Sequence, residues 1–243
     1  MSTTPIALHA VNQQLQHYFA AHPQAGEGLV TVLEDSLSLP RLLPLLQALL
    51  ADADSLQTVA ARSYVHGNGF VKVVLLDEHG YKLRLHIWFA GSACEENIHD
   101  HRWSFASHVL VGTLNSEIWV DDAQGQVLPE FRYAAATANS AAGKQAVGHC
   151  RLSLQQHCQY GAGSSYVMPK LVLHRIINPG QHLVATVMVS APTEQGDTRL
   201  IPIQEELNPQ VDMPRLSAEA LAPLLRRFIN ECQSQAWSGL QAA

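Results

Sequence analysis

Charge is scarce in this sequence. Only 15% of the residues are Asp, Glu, Lys or Arg, the formal charge is −6, and lysines and arginines cluster nowhere. A chain without a basic patch lacks the electrostatic footprint of a nucleic-acid binder, and it carries no polybasic membrane patch either. Cysteine is scarce too. The four, Cys94, Cys150, Cys158 and Cys232, form no close Cys-x-x-Cys pair, and the first nine residues lack the basic region and apolar stretch of a signal peptide. Reduced thiols in a cytoplasmic protein are the expectation. No hydrophobic run is long enough to span a bilayer: the most apolar window, 39–51, contains Pro40, Arg41, Pro44 and Gln47. Gly-x-Ser-x-Gly, P-loop and Gly-x-Gly-x-x-Gly patterns are all absent. Acyl transfer, nucleotide hydrolysis and dinucleotide chemistry therefore have no support.

What is present is apolar and rich in histidine. Hydrophobic residues make up 47% of 243 positions, enough to bury a core without disulfides, and 13 histidines occur without a tag run. The texture changes along the chain. Leu8, Val11, Leu15 and Phe19, then Leu42, Leu45, Leu46 and Leu49, recur at helical spacing, with Pro40 and Pro44 placing a helix start near 38–41. Short runs rich in Val, Ile, Leu, Tyr and Trp follow at 62–66, 70–76, 81–89, 98–114, 117–120, 131–135, 146–156, 166–168, 171–177 and 183–190. Turn residues punctuate them, notably 67–69, 78–80, 121–122 and 179–180. Such spacing predicts an antiparallel sandwich or barrel, with His66 to Gly69 as a hairpin turn. Residues 199–216 read as extended. Ser217 then caps a helix to about residue 236, in which Pro223 predicts a kink or a later start. One domain with decorations results: helices over 1–60, a barrel over 61–198 and a C-terminal extension over 199–243.

The segment Asn97-Ile-His99-Asp-His101-Arg-Trp-Ser-Phe105 carries the chemistry. On a strand, residues i and i+2 share a face, so His99 and His101 are able to grip one ion. Imidazole suits Fe, Zn, Cu and Ni, whereas Mg and Ca prefer oxygen. A second segment runs from Gly163 through Pro169 to His174 and Asn178. Together, His99, His101, Phe105 and Gly112 with Gly163, Pro169, His174 and Asn178 resemble the two motifs of the cupin superfamily, over roughly 80–192.

The resemblance implies a mainly β fold: a single double-stranded β-helix (jelly-roll) barrel with flanking N- and C-terminal helices, and a metal on His99, His101 and His174. Two positions depart from the motifs. Leu171 stands where the second motif has glycine, so a different turn is expected there, and Phe105 stands where the first has the ligand Glu. Three-histidine cupins are typified by the thiol dioxygenases, which use Fe(II). Their last strand carries a Ser-His-Tyr set, and 183–190 here contains neither His nor Tyr. The expectation is an Fe(II)-dependent oxygenase taking O2 and a small polar substrate other than cysteine. Zn, Mn, Ni or Cu are the alternative ions. Isomerase, lyase or hydrolase chemistry, or binding without catalysis, are the alternative functions, and a homodimer is left open.

Other residues are placed by parity. In Tyr81 to Phe89, Lys82, Arg84, His86 and Trp88 alternate with Leu83, Leu85, Ile87 and Phe89. Their face is either solvent-exposed or turned to the metal, where Arg84 suits a substrate carboxylate and His86 joins it. Trp103 shares the parity of His101 and is either pocket wall or core. His108 is a fourth-ligand candidate, although it points opposite to Phe105. Arg102 and Arg175 are expected to form ion pairs on the outer face, Asn178 to make structural hydrogen bonds, and Cys94 to be an ordinary loop thiol.

Overall fold

The computed structural model describes residues 4–134, 143–203 and 213–241. A 3-10 turn (Ile6–Leu8) leads into α1 (His9–Ala21), α2 (Glu27–Leu37), α3 (Leu39–Ala51) and α4 (Ala53–Ala60). The helix start read from the prolines is observed: Ser38 precedes α3, Pro40 sits in its first turn, and Pro44 is carried inside it. At the other end α5 (Ala218–Gln241) starts just after Ser217, whose Oγ accepts from Ala220 N at 3.3 Å, and it runs through Pro223 without a later start.

Between the helices lie twelve strands. These are β1 (Tyr64–Val65), β2 (Val71–Glu78), β3 (Tyr81–Trp88), β4 (Cys94–Glu95), β5 (Ile98–His99), β6 (Phe105–Val111), β7 (Thr113–Ala134), β8 (Gly143–Gly161), β9 (Ser165–Met168), β10 (Leu173–Asn178), β11 (Val184–Ser190) and β12 (Thr198–Ile201). They form two six-stranded sheets, ordered β1-β2-β3-β11-β6-β9 and β4-β10-β5-β12-β7-β8, and every pairing is antiparallel. The chain passes repeatedly from one sheet to the other. Such crossing makes two facing antiparallel sheets into a jelly roll, the cupin barrel that the motifs imply, with helices at both ends of the chain.

Three expectations need correction. Residues 98–114 are not one strand: the backbone leaves the ladder between β5 and β6 and again at Gly112. Gly112 has φ 76°, and a Cβ there would lie 2.4 Å from the Leu183 carbonyl, so the left-handed, side-chain-free residue is required. The turn read at 121–122 is a bulge inside β7, where the register against β8 jumps between Asp121 and Gln126 opposite Leu152. Residues 199–216 are not uniformly extended coil: 198–201 make β12, while 204–212 lie outside the described residues.

The first sheet has two unlike faces. Val73, Leu75, Leu83, Leu85, Ile87, Ala106, Ala185, Val187 and Val189 are buried in one cluster with Leu15, Leu33, Leu46, Leu49, Leu225 and Phe228 of the helices. The opposite face, carrying Arg84, His86, Ser107, Thr186 and Met188, looks into the barrel. Cross-strand rows align it: Val74, Arg84, Met188, Ser107 and Tyr166 in one, Lys72, His86, Thr186 and Val109 in the next. The polar face of β3 is thus interior rather than solvent-exposed. The apolar residues between are held by the helices, which is what an alternating strand with both faces covered requires. Among the described residues, no helix is long and apolar enough to cross a membrane.

Candidate metal centre

Two of the three histidines are set by one ladder. His174 on β10 is the direct antiparallel partner of His99 on β5, which puts both side chains on one face of the second sheet. His101 arrives differently. It lies beyond the end of β5, so the strand parity expected of His99 and His101 is not what joins them. The loop does it. Asp100, 3% exposed, accepts the Arg199 amide on Oδ1 at 2.7 Å, its own amide donates to the Arg199 carbonyl, and Leu171 N donates to the His101 carbonyl at 3.0 Å. Ring centroids are 4.8 Å apart for His99 and His101, 4.7 Å for His99 and His174, and 5.1 Å for His101 and His174. The ligand atoms of the three all lie within 4.8 Å of one another, a cluster able to hold a metal ion.

The donor set is tested by its own hydrogen bonds. Nδ1 of His99 lies 2.9 Å from the Asn97 carbonyl, and Nδ1 of His174 lies 2.9 Å from the Val172 carbonyl. A carbonyl only accepts, so both rings carry their proton on Nδ1 and present the bare Nε2. Burial, reinforced by the neighbouring His99 ring, pushes His174 down to about 3. Burial first, then His99, His174, Arg84 and Lys72, push His101 well below its ordinary value. Neutral imidazoles with free Nε2 atoms fit a borderline divalent transition metal and suit Mg or Ca poorly.

Phe105, 4% exposed, has its ring centroid 5.7 Å from that of His101 and 5.9 Å from that of His174. It closes the site with hydrocarbon. His108 does not replace it as a ligand. It points out of the barrel, where Nδ1 meets Ser165 Oγ at 2.8 Å, and Ser165 donates to Glu34 of α2 at 2.7 Å. Trp103 is pocket wall: its ring stacks on His101 at 4.8 Å and 17°, and the Arg84 guanidinium lies 5.8 Å from its centroid.

Arg84 is 9% exposed, and its Nη1 has no partner. His86 Nε2 is likewise buried and unpartnered, and burial, reinforced by Lys72, Arg84 and His66, holds that ring neutral. Burial lowers Arg84 to about 10, which leaves it charged at neutral pH. Lys72 was not singled out from sequence. It pairs with His86 across the ladder, and its ammonium lies 5.4 Å from the Tyr64 ring centroid and 5.6 Å from that of Phe70. A lone lysine inside the apolar run Val71 to Leu76 was the available signal. Asp100 and Arg199, which hold the loop between ligands, gave none.

The remaining residues sort simply. Arg175 donates from Nε to Glu117 at 2.5 Å on the outer face, the ion pair expected. Arg102 makes no ion pair among the described residues and donates to the Gly196 carbonyl instead. Asn178 Oδ1 accepts from Gly180 N at 3.1 Å. Cys94 is on β4 rather than a loop, and burial pushes its thiol up to about 12, an inert state. His66 donates and accepts through its backbone in the β1–β2 hairpin. Leu171 builds no alternative turn: it adopts the left-handed φ of 65° itself, with its side chain 60% exposed. A surface groove of about 600 Å³ between α1 and α2 contains none of these residues.

No family model matches the chain, and no curated protein does. Solved structures do resemble it. A protein with a double-stranded β-helix domain from Klebsiella pneumoniae is 12% identical over 56% of this chain and 85% of that one, with a TM-score of 0.32. A cupin 2 conserved barrel domain protein from Rhodopseudomonas palustris is 8% identical over 54% and 66%, with a TM-score of 0.34. Oxalate oxidase in complex with the substrate analogue glycolate is 15% identical over 49% and 45%, with a TM-score of 0.27. Neither the fold nor the site described above rests on these likenesses.

Proposed function

We propose that this cupin is an Fe(II)-dependent oxygenase that brings O2 to a small polar molecule. The observation that carries the reading is the donor set: three imidazoles with phenylalanine in place of a carboxylate. Such a set would hold an ion without neutralising its charge and would leave room for substrate and O2 beside it. Bound Fe(II) supplies redox chemistry with O2 at those positions.

The chain's own residues supply the rest. His99, His101 and His174 present Nε2, with Nδ1 of His99 and His174 anchored by carbonyls so that these two rings are aimed before the ion arrives. Phe105 keeps water from the positions beside His101 and His174. Arg84 offers its unpartnered Nη1 to a substrate carboxylate. His86, neutral and with Nε2 free, orients a polar group beside it.

The test is elemental analysis of untagged protein, followed by anaerobic Fe(II) loading and O2-electrode screening of small heteroatom-bearing substrates. Expected are one iron per chain and O2 consumption without 2-oxoglutarate. His174→Ala should lose both. Full turnover under strict anaerobiosis, or with Zn(II) in place of iron, would instead make the protein an isomerase, lyase or hydrolase. Failure to retain any metal would reduce it to a binding protein.

A further inference from the structure

We propose that the molecule received by the barrel is a dicarboxylate-type dianion, one anionic group held by Arg84 and the other by Lys72. The inference rests on the reading that the barrel interior is a substrate site, and it deepens that reading by naming the substrate class.

Arg84 and Lys72 occupy adjacent rows of one interior face. Lys72 pairs with His86 across β2 and β3, and Arg84 is two residues before His86, so the two cations are diagonal neighbours about 7–8 Å apart at the backbone. Neither forms an ion pair with a carboxylate among the described residues, and the neighbour of the Lys72 ammonium is the Tyr64 hydroxyl. Leaving buried charges unpaired is costly, and a fold retains them where a ligand completes them. Of the free polar atoms beside them, Arg84 Nη1 and Trp103 Nε1 are buried without partners and only donate, while His86 Nε2 donates or accepts according to its tautomer. A lining with two obligate donors favours a ligand rich in acceptors.

The field agrees with the geometry. Burial works to raise the Tyr64 hydroxyl's pKa, yet Lys72, Arg84 and Arg215 together bring it below its ordinary value. Burial, with Arg84, lowers the Lys72 pKa, while Tyr64 and Glu96 favour its ammonium, and an anion beside it would favour that form further. Arg84 and Lys72 stand on the same interior face, and a monoanion would satisfy only one of the two. Two separate cations on two strands also match two separated anionic groups better than one compact phosphate, because each carboxylate then meets its own donor.

The test is tryptophan fluorescence, since Trp103 stands between Arg84 and His101. Chelator-treated protein and Fe(II)-loaded protein are each titrated anaerobically with succinate, propionate and inorganic phosphate. Succinate should bind at least tenfold more tightly than either of the others. Lys72→Met and Arg84→Met should each cut succinate affinity tenfold or more, and Lys72→Arg should retain it within threefold, with circular dichroism melting as the folding control. Lys72→Gln replaces Lys72→Met if the latter does not fold, and the wild-type preference needs no variant at all. Equal affinity for propionate, tighter binding of phosphate, no saturable binding, or a Lys72→Met protein that binds succinate like wild type would each overturn the proposal. The two readings fail separately. A protein that prefers succinate yet retains no metal defeats the oxygenase and keeps the dianion site, whereas metal binding without the preference does the reverse.

Discussion

Ligand chemistry was legible in the sequence because few side chains can do it. Imidazoles at fixed positions of two motifs leave little freedom, and His99, His101 and His174 converge. What was not legible is how His101 gets there, because the anchors are a buried aspartate and a backbone amide from distant segments, Asp100 with Arg199 and Leu171 with His101. Lys72 was missed for a related reason: a lysine in an apolar run gives no hint of which barrel face it joins until its partner is known. Leu171 yields a prediction at this scale. A leucine held at φ 65° is strained by about 1 kcal/mol relative to glycine, and its exposed side chain packs little in return. Leu171→Gly should therefore stabilise the fold by about 1 kcal/mol, read as a higher urea midpoint with unchanged slope. A lower midpoint would mean that the side chain has a partner not apparent from its exposure.

The longer strands were found in order, but β4, β12 and the strand limits were not, since a ladder ends where its partner ends and the partner is remote in sequence. The run 98–114 reads as one strand and is broken at the loop that carries His101, while the Asp-Asp pair reads as a turn and is a bulge within β7. The pairing of β10 with β7 carries its own ion pair. Glu117, 4% exposed, accepts from Arg175 at 2.5 Å and from Trp119 Nε1 at 3.0 Å, one residue along from the His174–Ile118 pair. Burial works to raise this carboxyl, but Arg175 and Trp119, with His157, hold it below its ordinary 4.5. A carboxyl with a lowered folded pKa stabilises fully above the unfolded value and loses that contribution as pH falls through the folded one. Glu117→Gln should thus cost up to about 3 kcal/mol at pH 7 by leaving the guanidinium with only the more exposed Glu95, 3.8 Å away, as a charged partner. The gap between variant and wild type should narrow below pH 4.5, as urea unfolding at both pH values would read. An equal gap at both would mean that Glu117 contributes shape rather than charge.

At the scale of the whole molecule, the helices belong to the barrel's core. Leu33, Leu46 and Leu49 share one cluster with Leu83, Leu85, Val187 and Val189, so the first sheet has no wet face. Composition showed that a core of this size was available, while the identity of the layer that covers it followed only from which parity of β3 turned inward. A chain lacking 1–60 should lose cooperative unfolding and gain dye-accessible apolar surface, checked by thermal melting and by binding of a hydrophobic dye. A truncated chain that melts as sharply as the full one would show that the barrel stands alone.

The division of β3 into leucines that meet helices and basic residues that meet the site has a consequence for folding errors. A slip of one residue against β2 or β11 would drive Arg84 and His86 into hydrocarbon and turn Leu83 and Leu85 toward the histidines. Packing and chemistry would fail in the same step. Such a copy has no stable form in which a damaged site persists, so quality control by solubility and proteolysis is at once quality control of the site.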